Sequence, residues 1–214
     1  MIPASLKGKE LEALLLEAAK REESAGRLTM SRYGVQGVTF GGKTILVPSL
    51  PDFEGCLPGG RQIIIEAKCC QGSAFPLADD HFRDRQYRHM ATRARFGALA
   101  FLVIHFAERY LKTTGTDPGM TVAVPVDEQM QFWMAYTNRE ARTLSRSEAT
   151  TIGTIVPWNV PKGCRKPLPN LMAFLMPTHP CNRPATLQDT PVPAPLTEHD
   201  AWELFPQYED FPAP

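Results

Sequence analysis

The sequence predicts an α/β domain in which a mixed central sheet is flanked by helices. Three observations predict it. Leucines and alanines recur at helical spacing near the start of the chain. Two stretches read as apolar strands: residues 62–69, whose continuous run Ile63-Ile64-Ile65 suggests cover on both faces, and residues 98–106. A periodic stretch of helical length, residues 81–95, lies between them.

Taken in order, residues 9–23 read as a helix, with Leu11, Leu14, Leu15, Ala18 and Ala19 on one face and Gly26 as its stop signal. Residues 27–47 are rich in β-formers and broken by Gly34, Gly37 and the Gly41-Gly42 pair. They read as one or two strands with a turn at that pair. Residues 51–53 begin a short strand, and Leu57-Pro58-Gly59-Gly60 is a turn. The strand of 62–69, apolar through Ile63, Ile64 and Ile65, follows. Residues 72–80 read as a loop, 81–95 as a second helix, and 98–106 and 121–126 as strands. Residues 127–136 suit a helix that packs Met130, Trp133 and Met134; 145–153 read as a short helix or turn, and 168–175 as a last helix. No internal repeat is present.

Composition narrows the class. The chain has 214 residues, of which 43% are hydrophobic, enough for one domain with a core. It has no run of about eighteen apolar residues, and the start lacks a signal-peptide pattern, so a cytoplasmic location without membrane attachment is the default expectation. The five cysteines are odd in number, two are adjacent (Cys69, Cys70) and none form a CxxC pair, which suits reduced thiols rather than a zinc site. The formal net charge is zero but unevenly placed. Residues 177–214 hold six acids against Arg183 alone, which leaves 22 Lys+Arg and 17 Asp+Glu, or +5, in residues 1–176. A mildly basic body fits a nucleic-acid partner. With nine prolines in its 38 residues, the segment 177–214 reads as an extended acidic tail carrying Trp202, Leu204, Phe205, Tyr208 and Phe211.

The chemistry-bearing stretch is Pro51-Asp52-Phe53-Glu54-Gly55, a turn, and then Ile65-Glu66-Ala67-Lys68. Glu66 and Lys68 stand two apart on a strand, so both point to one face. A glutamate and a lysine at the end of an apolar central strand are costly without partners. Asp52 can reach the same point if the turn folds its segment back. Two carboxylates and the Ala67 carbonyl are hard oxygen donors of the kind Mg²⁺ accepts. Phosphodiester hydrolysis needs a deprotonated water and relief of charge on the phosphate. A divalent ion supplies both, and Lys68 can orient or deprotonate the water or stabilise the transition state. The plain alternative is a surface ion pair at a hairpin end.

The second helix adds polar groups to the same region. Phe82, Gln86, Met90 and Ala94 are spaced by four, so Gln86 lies on the apolar face and either points into a polar site or bonds to backbone at the stripe's border. Arg83, Arg85, Arg88, Arg93 and Arg95 offer phosphate contacts, or else form a solvated helix face.

These residues resemble the RecU family of Holliday junction resolvases and, more loosely, the wider PD-(D/E)XK nucleases. The resemblance is carried by Ser49 to Gly55, Ile65 to Lys68, Ser73-Ala74-Phe75-Pro76-Leu77, Phe82 to Gln86, and Ala100 to Ile104. Gly8-Lys9-Glu10-Leu11-Glu12 is similar to the family's opening helix, and residues 8–176 are covered overall. The resemblance implies a restriction-endonuclease-like core and a homodimer that cleaves branched DNA with Mg²⁺ or Mn²⁺. By position it implies Asp52 and Glu66 as metal ligands, Lys68 as the catalytic lysine, Gln86 as a supporting residue and Glu10, in preference to Glu12, as a first-helix acid near the metal. Phe40-Gly41-Gly42-Lys43-Thr44 leaves little room for the long basic stalk that the family carries between early strands, as in a compact, phage-like variant.

The expected function is therefore a Mg²⁺-dependent, structure-specific DNA endonuclease, with residues 1–176 as nuclease domain and 177–214 as tail. The competing expectation is a DNA-binding recombination-accessory protein without significant catalysis. The tail either occupies the DNA groove, binds a replication or recombination protein, or serves only to solubilise.

Overall fold

A computed structural model describes residues 6–33, 36–40, 43–47, 51–77, 84–111, 115–126 and 143–176, with backbone alone at 36–40, 43–47, 84–85 and 110–111. The chain divides into two units, 1–176 and 177–214; the second, with the expected tail, lies outside the described residues, as does the helix expected at 127–136. Among the described residues no helix is long and apolar enough to cross a membrane.

The fold is the one that the order of elements predicts: a mixed sheet flanked by helices. Helix α1 (Gly8–Ser24) precedes β1 (Thr29–Arg32), and the sheet continues with β4 (Phe53–Cys56), β5 (Gln62–Cys70), β7 (Leu99–Phe106), β10 (Met120–Pro125) and β12 (Thr154–Ile155), in spatial order β1-β4-β5-β7-β10-β12. The β5–β7 pair is parallel and every other pair in this sheet is antiparallel. Parallel neighbours need a crossover, and α2 (Asp84–Arg95) lies in it.

The continuous apolar run of β5 finds cover on both faces. Ile63, Ile64, Ile65, Glu66 and Ala67 are all buried. Ile63, Ile65 and Ala67 join Leu11, Leu15 and Ala19 of α1 in one core, while Ile64 joins Met90 of α2, Leu102, Ile104 and Val122 in a second core across the sheet. Each fully buried isoleucine contributes about 1.5–3 kcal/mol. Gly55 sets the pairing that brings the strand before β5 into place. It faces Met30 on β1, and a Cβ there would run into the Thr29 carbonyl, so β1 and β4 approach this closely only with glycine.

Several short elements depart from the sequence reading. Residues 27–47 hold three strands rather than one or two: β1 joins the main sheet, and β2 (Gln36–Phe40) pairs only with β3 (Lys43–Val47), Phe40 facing Lys43. The expected turn at Gly41-Gly42 lies outside the described residues. The expected loop 72–80 contains β6 (Ala74–Pro76), paired with β11 (Thr143–Ser145). Phe75 precedes a proline, which disfavours helix and favours extended backbone. The same effect splits the last expected helix: Leu168 precedes Pro169, and β14 (Leu168–Pro169) pairs with β13 (Trp158–Asn159), leaving only α4 (Met172–Leu175) helical. Residues 145–153 form the short helix α3 (Arg146–Ile152), capped by Ser145, whose hydroxyl accepts from Glu148 N–H at 3.2 Å. A hairpin of β8 (Arg109–Leu111) and β9 (Gly115–Asp117) completes the described elements.

Candidate active site

Asp52 sits one residue before β4, and β4 pairs with β5 so that Phe53 faces Ile65. This register delivers Asp52 beside Glu66. Three backbone-linked bonds lock the arrangement. Tyr33 N–H donates to the Asp52 carbonyl at 2.9 Å. Asp52 N–H donates to Glu66 Oε2 at 3.1 Å, and Ala67 N–H donates to Asp52 Oδ2 at 2.8 Å. The two acids are thus tied to each other through main chain, and neither can turn away without leaving a half-buried donor unpaired.

Glu66 has no exposed surface, whereas the Lys68 side chain on the same face keeps 24% of its own. The Lys68 ammonium pairs with Glu66 Oε1, and the same oxygen accepts from Gln86 Nε2 at 2.8 Å. Gln86 therefore points into the site from α2. Burial, and then the neighbouring charge of Asp52, push the Glu66 carboxyl up to about 7, against the opposing pull of Lys68.

From α1 the acid that shares this field is Glu12. Burial and the charge of Asp52 raise its carboxyl, while Arg32, Lys68 and Lys9 oppose the shift. Arg32 of β1 pairs with Glu12 Oε2, but too poorly aligned to count as a hydrogen bond. The Glu10 carboxylate instead accepts from Lys7 N–H at 2.8 Å and closes the start of α1. Burial, and then the charges of Glu10 and Glu12, push the Cys69 thiol up to about 12. Glu12 stands three and seven residues before the buried Leu15 and Ala19, so it leans toward the sheet. That spacing was the available signal favouring it.

The remaining expected residues are more scattered. Arg88, Arg93 and Arg95 are exposed on α2. Arg83 and Phe82 lie outside the described residues, and so does the side chain of Arg85. The Ala67 N–H is engaged with Asp52, which places the Ala67 peptide at the cluster.

The donor set fits a hard divalent cation. Asp52, Glu66 and Glu12 bring three carboxylates together with Lys68, Arg32 and Lys9; burial first, and then the charge of Asp52, raises Glu66 and Glu12. Among the described residues no three His, Cys, Asp or Glu side chains gather tightly enough to chelate an ion. A surface cavity of about 520 Å³, lined by Ala18, Arg21, Leu168, Met172 and Met176 among others, shares no residue with this cluster.

No curated protein matches the chain. Among solved structures, the Holliday junction resolvase Hjc from the archaeal hyperthermophile Archaeoglobus fulgidus is similar, at 19% sequence identity, over 66% of this chain and 93% of its own, with a TM-score of 0.38. The family model for recombination protein U, RecU, matches residues 43–160, a span that includes Asp52, Glu66, Lys68 and Gln86. That span is more than half of the sequence, and the chain belongs to the RecU family.

Proposed function

We propose that this chain is a Mg²⁺-dependent endonuclease that cleaves branched DNA, four-way junctions foremost, by phosphodiester hydrolysis at Asp52, Glu66 and Lys68. The observation that carries the reading is the closed network in which Asp52, Glu66, Ala67, Lys68 and Gln86 hold one another at a single point. Resolvases of the RecU family depend on divalent metal ions in general, and a Holliday junction resolvase role accords with both the family and the Archaeoglobus protein.

Asp52 and Glu66 would hold the ion, with the Ala67 carbonyl as a further donor and Mn²⁺ able to replace Mg²⁺. When bound, such an ion supplies an acidified water and Lewis-acid relief of charge on the phosphate. Gln86 fixes the rotamer of Glu66 by donating to Oε1. Lys68, partly exposed, stands where its ammonium can meet the non-bridging oxygens of a phosphate and stabilise the charge that grows there. Glu12 adds negative potential that favours an ion; Glu10, by contrast, is engaged at the helix start. Arg83, Arg85, Arg88, Arg93 and Arg95 would carry phosphates of the flanking duplex. Residues 1–176 act as the nuclease domain, in a homodimer that presents two sites to a symmetric substrate, and 177–214 act as a partner-binding or groove-occupying tail. The setting is the cytoplasm.

The purified chain, given Mg²⁺ and a four-way junction, tests this. Wild type is expected to cut, while Asp52→Ala and Lys68→Ala bind but cut at least about 100-fold more slowly. Equal behaviour of wild type and variants would leave the accessory-protein reading in its place.

A further inference from the structure

A lone exposed aromatic is ordinary on a protein surface; Phe96 is set apart by what carries it. It is 79% exposed, more than any other exposed large hydrophobic residue among those described. It stands at the turn between α2 and β7, and that turn is braced. Gly97, at φ +90°, donates its N–H to the Ala94 carbonyl at 2.9 Å, and Ala98 N–H donates to the Arg93 carbonyl at 3.1 Å. Arg61, from the turn between β4 and β5, donates Nε–H to the Gly97 carbonyl at 3.1 Å and ties the two turns together. The ring is therefore held in water on a fixed support.

The support is cationic. Arg61, Arg93 and Arg95 are exposed at this corner, and the acid next to the Arg61 turn, Glu54, is held by the Gln62 amide. An isologous contact with a second copy would set these arginines against their own images. The complementary occupant is a polyanion that also offers a flat apolar face, which is a nucleic-acid strand. A base inside a continuous duplex has both faces covered, so only a base freed from the stack can meet the ring. Ten residues of chain separate Gln86, at the carboxylates, from Phe96 beyond the other end of α2. At helical rise this is about 15 Å, or about four nucleotide steps at duplex spacing.

We propose that Phe96 stacks on an unpaired DNA base at a branch point while Arg61, Arg93 and Arg95 hold the neighbouring phosphates. This inference rests on the nuclease reading and adds to it a means of telling branched from continuous DNA.

The test uses the full chain without divalent metal. Its probes are a continuous duplex and a branched DNA with an unpaired 2-aminopurine at the branch. Phe96→Ala is expected to weaken branched-DNA binding about 5- to 100-fold, keep duplex binding within about twofold, and remove the change in 2-aminopurine fluorescence. Phe96→Trp is expected to restore both, and an unchanged urea midpoint will show that the fold is intact. Phe96→Ala binding both DNAs as wild type does, or losing both equally, overturns the stacking proposal alone, provided that wild type still cuts branched DNA with Mg²⁺. Wild type that binds neither DNA overturns the nuclease reading and this inference together.

Discussion

Burying a carboxylate costs several kcal/mol unless its lone pairs are filled, and Glu66 shows how the cost is offset. One oxygen takes Lys68 and Gln86; the other takes a backbone N–H of the segment that carries Asp52. The same logic separates the two acids of α1. Glu10 spends its charge on the helix start, whereas Glu12 spends it on the field of Asp52. Glu12→Gln is thus expected to slow cleavage about tenfold or more with little change in stability. Glu10→Ala, which removes the acceptor that a glutamine would keep, is expected to cost about 0.5–1 kcal/mol of stability and leave the cleavage rate within a few-fold. Urea titration and single-turnover kinetics on both variants check this; the opposite assignment of effects would restore Glu10 as the site acid. The placement of Asp52, Glu66 and Lys68 in one cluster was legible because the period of a strand fixes which side chains share a face, and a glycine turn folds the partner segment back. The choice between Glu10 and Glu12 was less so, since it depends on how α1 is rotated against the sheet, a property of packing.

At the scale of elements, β7 and β10 carry a polar knot within the sheet. His105 and Thr121 face each other across the strands, and the Thr121 hydroxyl lies 2.9 Å from His105 Nδ1 and accepts from Trp158 Nε1 at 2.9 Å. This stitches β13 to the sheet. Burial first, and then the charge of Arg146, bring the His105 pKa down to about 4. The unfolded chain binds this proton near 6.5, so between about pH 6.5 and pH 4 the unfolded state holds more protons than the native one. Stability from His105 is complete above pH 6.5 and is lost as pH falls through that window, by about 3 kcal/mol at most. Denaturant titrations of wild type and His105→Gln at pH 7 and pH 4.5 are expected to show a smaller acid loss in the variant; equal losses would refute this. The long strands were legible from their apolar runs, but β6, β8, β9, β13 and β14, at two or three residues each, show no period. Their pairing is decided by tertiary neighbours and by prolines that forbid the helical alternative.

At the scale of the whole molecule, the family match begins at residue 43 and includes β4 and β5, which carry the Asp52–Glu66 cluster, while Glu12 comes from α1, ahead of it. The sheet is what joins them: α1 packs on the face opposite α2, and the edge at Asp52 is where groups from both layers meet. The basic balance of residues 1–176 suits a phosphate-bearing substrate, and the acidic balance of 177–214 offsets it within the same chain. We expect Asp52 and Glu66 to bind one divalent cation between them. Calorimetric titration of Mg²⁺ and Mn²⁺ into wild type, Asp52→Asn and Glu66→Gln tests it most directly. Metal binding by wild type that is lost in both variants, each still folded, is the predicted result; metal binding that survives both substitutions unchanged would contradict the account.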